Sequence, residues 1–284
     1  MIAVTGATGH LGRLVIAALL KKVPASGIVA AVRNVEKARD LAAWGVRVRY
    51  ADYNLPLTWN DALTGADKVL LISSSEIGQR LKHHTVVIDA AKRMGVKLLA
   101  YTSVLRANTS VLGLAAEHKE TESLIRASGI PCTLLRNGWY TENYTGGISN
   151  ILAQGAVYGC AGEGRIASAS RADYAEAAAV VLTVEDQAGW VYELAGDTAY
   201  TLAELAAEIS RQSGKNIGYV DLPEAEYRKA LLKAGLPEAI AALLADSDTG
   251  VSNGALFDDG RQLSKLIGRP TTTLKETVAA AMKP

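Results

Sequence analysis

The segment Val4-Thr5-Gly6-Ala7-Thr8-Gly9-His10-Leu11-Gly12 sets three glycines at intervals of three residues. It follows a short apolar run and opens a helical pattern, the setting that lifts such a spacing above coincidence. Gly6 suits a tight turn, Gly9 leaves room for a pyrophosphate against the backbone, and Gly12 lets helix and strand pack closely. The N-terminus of the following helix offers unpaired N–H groups and a favourable dipole to a diphosphate. The chemistry this segment can do is to hold a dinucleotide.

Further polar residues stand where such a ligand would need them. An NAD-selective site carries Asp or Glu after the second strand, where it holds the ribose hydroxyls. This chain has Val32-Arg33-Asn34 there, with Lys37 close behind. A guanidinium pairs with a 2′-phosphate that a carboxylate would repel, so the sequence favours NADP(H). Asp52 follows the third apolar run and is a candidate acceptor for the adenine amino group. Ser73, Ser74 and Ser75 follow the fourth, within reach of the pyrophosphate and nicotinamide ribose. Asn137, Gly138, Trp139 and Tyr140 follow the sixth, where backbone groups could hold the carboxamide.

The elements that must position these residues alternate in type. Apolar runs at residues 2–5, 28–32, 46–50, 68–72, 97–102 and 132–135 read as strands. Helical patterns at 11–22, 35–44, 61–63, 84–94 and 115–127 separate them. Such alternation predicts an α/β fold, a doubly wound parallel sheet of the Rossmann type, with helices on both faces. Ligands of these sheets bind beyond the carboxyl ends of the strands. After residue 140 the regularity fades. Gly155, Gly159, Gly162 and Gly164 mark a loop-rich stretch, residues 171–184 read as an Ala-rich helix and 191–194 as a strand. Thr201 and Glu204 form a capping-box pattern for a helix over 201–213; residues 221–247 look helical, and a short helix closes the chain. We therefore expect a nucleotide domain over residues 1–140. A smaller substrate lobe should cover 141–284, with segments around 171–195 packing back on the sheet.

Composition narrows the function classes. The chain has 284 residues, with 30 Lys and Arg against 29 Asp and Glu. No basic stripe marks a nucleic-acid or anionic-membrane partner. With 49% hydrophobic and 21% charged residues it can bury a large core. A single Phe leaves core volume to aliphatic side chains, which suits interior parallel strands. Cys132 and Cys160 read as small buried hydrophobes, and no metal set is expected, since His83 and His84 lack a third ligand in reach. No apolar stretch approaches the roughly 20 residues of a spanning helix, and no cleavable leader is visible, so a cytoplasmic location is expected. Soluble proteins of this size are often symmetric dimers, which makes a homodimer the candidate assembly.

The segments VTGATGHLG, AVRN, ADY, SSS, YTS, EHKETE, SGIPCTLLRNGWY and RADYAEAA resemble the NmrA-like branch of the atypical short-chain dehydrogenases. ISSSEIGQR, LLRNGWYTENY, LADSDTG and LSKLIGRPTTTL extend the likeness over nearly the full length. Within that branch they resemble the bacterial type 2 NAD(P)H:quinone oxidoreductases, with triphenylmethane reductases as a related group. The resemblance implies NADPH held by Gly6, Ala7, Thr8, Gly9, His10 and Leu11, by Arg33 and Ser73–Ser75, and by Asn137, Gly138, Trp139, Tyr140, Thr141 and Glu142. It also implies reduction of a small planar quinone.

One departure bears on mechanism. Ketone-reducing short-chain dehydrogenases usually carry Tyr-x-x-x-Lys, in which a phenol donates a proton. None of the 11 tyrosines here has Lys four residues on, and the corresponding positions fall on Leu114 and His118. A quinone needs less help, because its reduced form is an aromatic hydroquinone; direct hydride transfer between positioned rings suffices. His118 is then either a proton donor to a quinone oxygen or a packed helix residue. Tyr140 and Tyr144, with Trp139, are candidates for an aromatic wall against a planar acceptor, or for simple lid packing. Two other classes stay open: an NADP(H)-sensing regulator, and a reductase of another planar electrophile such as a triphenylmethane dye.

Overall fold

Short aliphatic runs become interior strands when helices bury both of their faces, because no side of the strand then needs a polar residue. β1 (Ile2–Val4) and β2 (Ile28–Val32) are buried at every position in the computed structural model, which describes residues 1–283. The first half runs β1, α1 (His10–Leu20), β2, α2 (Arg39–Ala43), β3 (Arg47–Tyr50), α3 (Thr58–Leu63), β4 (Lys68–Leu71), α4 (Arg80–Arg93), β5 (Leu98–Val104), α5 (Ala115–Ser128) and β6 (Cys132–Asn137). Then come α6 (Glu142–Thr145), α7 (Ile148–Gln154), β7 (Ala156–Gly159), α8 (Arg171–Thr183), β8 (Val191–Leu194) and α9 (Leu202–Ser213). The chain closes with β9 (Gly218–Asp221), α10 (Glu224–Lys233), α11 (Glu238–Ser252), α12 (Gln262–Ile267) and α13 (Leu274–Ala281).

Contacts divide the chain into two compact units. The first is Met1–Ala107, Ala116–Asn137 and Arg171–Tyr192; the second is Asn108–Ala115, Gly138–Ser170 and the described residues from Glu193 onward. The seven-stranded parallel sheet has the order β3-β2-β1-β4-β5-β6-β8, and β8 is where the chain leaves the first unit. Its register pairs Ile2 with Ile28 on one side and with Lys68 on the other. Strand order reverses between β1 and β4, which is the switch point of the sheet. α1 and α8 pack together on one face. On the other, Ala3, Val69, Leu71, Leu99 and Tyr101 form one cluster with Trp59 and Leu63 of α3, Val87 and Ile88 of α4, and Ile125 of α5.

The second unit holds a small parallel sheet in which Ala156 pairs with Gly218 and Gly159 with Asp221. α9 packs on it and on α13, and α10 packs on α11. The Thr201–Glu204 capping box is present with both bonds made, and Thr273 and Glu276 build a second one at α13.

Several local expectations are corrected. Residues 35–44 form a 3₁₀ turn at Glu36–Ala38 and the short helix α2, not one continuous helix. The glycine-rich stretch contains β7, because its four residues find a partner 62 positions away in β9. Residues 221–247 divide into α10 and α11, since Pro237 cannot donate within a helix and so marks the start of a new one. Cys132 and Cys160 are half-buried free thiols and not fully buried ones.

Candidate cofactor and active site

The glycine segment does what its spacing requires. Gly6 has φ +57°, a left-handed turn that disfavours other residues. A side-chain carbon on Gly12 would stand 2.7 Å from the Ala7 Cα, so α1 approaches the turn as only glycine permits. Gly9 is the N-cap of α1 and provides no capping side chain, which leaves the first N–H groups of the helix for an outside acceptor. Arg13 braces this turn from α1, donating from Nε to the Thr8 carbonyl at 3.2 Å and from a guanidinium nitrogen to the Lys37 carbonyl at 2.6 Å.

A pocket of about 340 Å³ opens beyond the carboxyl ends of the strands on both sides of β1. Gly6 and Thr8 line it after β1, Arg33 and Lys37 after β2, Tyr53 after β3, and Ser73, Ser74, Ser75 and Glu76 after β4. The Arg33 and Lys37 side chains are exposed to the opening. The acidic groups that follow β2 are turned elsewhere: Glu36 pairs with Arg39, and Asp40 with Arg13. The Tyr53 ring stacks on Trp59 with centroids 5.1 Å apart and on His83 at 4.6 Å, so one wall is a column of aromatic faces. Burial pushes the Tyr53 phenol up to about 12.

The serine run is held from α4. Ser74 N–H donates to His84 Nε2 at 3.0 Å, the Ser74 carbonyl accepts from Arg80 Nε at 2.9 Å, and Ser74 Oγ lies 3.1 Å from His83 Nδ1. Because His84 Nε2 accepts, its Nδ1 carries the proton and donates to Thr121 Oγ1 at 3.0 Å; the Thr121 hydroxyl in turn donates to the Glu117 carbonyl at 2.8 Å. Burial, then the charges of Arg80 and His83, lower the His84 imidazole to about 3, so it stays neutral and keeps this tautomer. Arg80 is itself fixed by Glu117 Oε2 at 2.9 Å. Every polar group of Ser74 is thus engaged before any ligand arrives.

Of the residues expected after β2, β3 and β4, Arg33 and Ser73–Ser75 line this pocket. Asp52 does not line the pocket; its Oδ1 accepts from Asn54 N–H at 2.9 Å and closes a turn. Ala51 and Tyr53, on either side of it, take that place. His83 and His84 lie inside α4, buried, and not at its start. Among the described residues no group of His, Cys, Asp and Glu is arranged to hold a metal ion, and no helix is long and apolar enough to cross a membrane.

The NmrA-like family model matches residues 1–278. The chain belongs to the NmrA-like family. It is 58% identical to quinone oxidoreductase 2 of Escherichia coli over 279 residues, 98% of each chain. The structure of the E. coli NADPH-dependent quinone oxidoreductase QOR2 complexed with NADPH superposes with a TM-score of 0.97, at 57% identity, covering both chains fully. The Citrobacter sp. triphenylmethane reductase complexed with NADP(H) follows with a TM-score of 0.94 at 42% identity, covering 99% of this chain and all of that one.

In this NmrA-like chain His118 is an interior residue, 4% exposed, with Nδ1 2.8 Å from the Tyr101 hydroxyl. Burial, then the positive charge of Arg80, hold it well below its ordinary value. A neutral imidazole so placed has no readily released proton at neutral pH. In the second unit, Thr141 N–H donates to the Ala169 carbonyl at 3.0 Å, and Thr141 Oγ1 meets Ser168 Oγ at 2.8 Å. Trp139 is buried, Tyr140 bridges to Ala169, and Glu142 opens α6. Asn137 ends β6 in the first unit, its carbonyl accepting from Leu105 N–H at 2.9 Å. Tyr144 lines an apolar pocket of about 640 Å³ with Val157, Tyr227, Leu231 and Leu236, whereas Tyr140 does not reach it. The Tyr144 hydroxyl donates to Asp248 Oδ1 at 3.1 Å.

Tyr53, Trp59 and Glu76 were not singled out from the sequence. A signal existed for the first, since Tyr53 follows Asp52 at a strand end. Nothing in the sequence ties Trp59, inside a helix, to the same pocket.

Proposed function

We propose that this protein is an NADPH-dependent quinone oxidoreductase. The observation that carries the proposal is the cationic pair Arg33 and Lys37 on a pocket whose β2 end contributes no carboxylate. That is the environment a 2′-phosphate requires. The likeness to E. coli quinone oxidoreductase 2 supports the choice of acceptor.

In this reading the turn from Gly6 to Leu11 and the N-terminus of α1 neutralise the diphosphate. Arg33 and Lys37, on the same pocket as Tyr53, select the 2′-phosphate. In the run Ser73–Ser75, Ser73 and Ser75 present hydroxyls to the ribose side, while Ser74, bound by Arg80 and His84, fixes the loop that carries them. Residues 137–142 are assigned to the nicotinamide carboxamide, and Tyr140 and Tyr144 to the planar acceptor. The bound cofactor supplies the hydride from nicotinamide C4. The chain supplies orientation and no Tyr-x-x-x-Lys acid. The one further proton that the hydroquinone needs comes from water, and His118 serves the interior through its contact with Tyr101.

The test mixes the purified protein with NADPH and, separately, a benzoquinone, a naphthoquinone and a triphenylmethane dye, following the nicotinamide absorbance. Both quinones are expected to oxidise NADPH faster than the dye. Tight NADPH binding with no oxidation by any acceptor would replace the enzyme with a nucleotide sensor.

A further inference from the structure

The pocket contains a carboxylate that the β2 end does not provide. Glu76, on the loop between β4 and α4, lines the same pocket as Arg33, Asn34 and Lys37. Its Oε1 lies 3.5 Å from an Arg33 guanidinium nitrogen, and its Oε2 lies 3.8 Å from His83 Nε2. The loop that carries it is anchored on both sides. Glu76 N–H donates to Ser74 Oγ at 3.3 Å, and Gly78 N–H donates to Glu117 Oε1 at 3.0 Å. Ser74 is in turn fixed by Arg80 and His84. The carboxylate is therefore held at the mouth of the pocket by its backbone, with Arg33 as its nearest cation.

We propose that Glu76 is a specificity-determining residue that weakens the preference for NADPH over NADH. The inference rests on the cofactor reading above. A 2′-phosphate must take Arg33 from Glu76 and then stand beside a negative carboxylate, so its electrostatic gain is reduced. A cofactor with a free 2′-hydroxyl meets no such conflict, and a carboxylate near the ribose accepts a hydrogen bond from that hydroxyl. NAD-selective folds place this acidic group at the end of the second strand. Here the fourth strand brings one to the same pocket, opposite a cation from the second. The site therefore carries both selectivity elements, and Glu76 sets how far Arg33 prevails. The pair is more than half exposed at Arg33 and solvent-screened, so the effect is moderate.

The experiment measures dissociation constants for NADPH and NADH by nucleotide fluorescence titration at low and high salt. It compares the natural chain, Glu76→Gln, Arg33→Met and the double variant. Glu76→Gln is expected to tighten NADPH about three- to tenfold at low salt, an effect that shrinks at high salt, while NADH changes less than about twofold or weakens. In the Arg33→Met background the share of that gain that comes from releasing Arg33 should vanish, leaving only the smaller share due to direct repulsion. Equal tightening of both nucleotides would show a general charge effect and overturn the inference, as would unchanged or weaker NADPH binding. A full gain persisting without Arg33 would also overturn it. A natural chain that binds neither nucleotide would instead remove the cofactor reading, and this inference with it.

Discussion

Glu122 in the first unit and Asp248 in the second are both nearly free of solvent, at 1% and 3% exposure, yet their titrations are shifted in opposite directions. Burial alone would raise Glu122. Against that, Arg136 donates to both of its oxygens at 2.8 and 2.7 Å, Ser103 Oγ donates at 2.6 Å, and Arg126 stands 3.2 Å away. The net result lies below the usual carboxylate range. Burial raises Asp248 to about 6, because it has dipoles but no cation: Cys160 N–H at 3.3 Å and the Tyr144 hydroxyl at 3.1 Å, with Asp221 adding repulsion. Depth of burial does not decide the charge of a buried acid; the presence of an opposing full charge does. The first unit has thereby fixed its interior ion pair, while the second keeps a carboxyl group that titrates near neutrality beside an apolar pocket.

The largest test of this contrast removes the cation. Arg136→Met should cost about 3–5 kcal/mol in urea unfolding, because Glu122 is left buried and largely uncompensated. Adding Glu122→Gln should restore most of it, and a double variant no better than the single one would refute the pairing. A second test reads the opposite sign at Asp248. Its raised folded value means stability present below about pH 4 and lost as pH climbs through about 6, a change of about 3 kcal/mol. Glu122, lowered in the fold, contributes stability above its unfolded value and loses it as acid is added. Asp248→Asn should abolish the loss between pH 4 and 6 in unfolding curves recorded across that range; an unchanged pH dependence would mean that Asp248 is not the titrating group. The smallest effect belongs to Tyr144→Phe. It removes one donor to Asp248, costs about 1 kcal/mol at neutral pH, and should move the Asp248 titration upward in carboxyl NMR. A downward move would contradict the assigned bond.

The same contrast shows what was legible in the sequence. β2 matches the expected residues 28–32 because it is an interior strand, a short aliphatic run buried at every position; the edge strand β8 also falls at the expected 191–194, although Tyr192 and Glu193 interrupt its apolar run. The turn from Gly6 to Gly12 could be read because its requirements are local: a positive φ and a close helix approach. The capping box at Thr201 is local too. β7 and β9 escaped notice, since four-residue strands declare themselves only by pairing across 62 positions. Glu76 and Asp248 lay beyond reach for a related reason. Each sits in a polar stretch that reads as solvated surface, and its role comes from residues distant in the chain: Arg33 for one, Tyr144 and Cys160 for the other. His118 was weighed as donor or packing residue, and only its contact with Tyr101 from β5 shows it to be interior.

The position of β1 has a consequence for the order of assembly. Its partners begin 26 residues downstream in β2 and 66 residues downstream in β4. The turn after it leans directly on the later one, with Thr5 N–H donating to the Leu70 carbonyl at 3.0 Å and Ile72 N–H to Thr5 Oγ1 at 2.9 Å. No neighbouring hairpin can preform this arrangement, so a sizeable loop must close before the first bond is made. A nascent chain that has exposed its glycine turn therefore still lacks the strand that shapes it. The pocket beside the glycine turn, though begun in the first dozen residues, gains its serine wall only when the fourth strand docks, and it matures no faster than that long-range event.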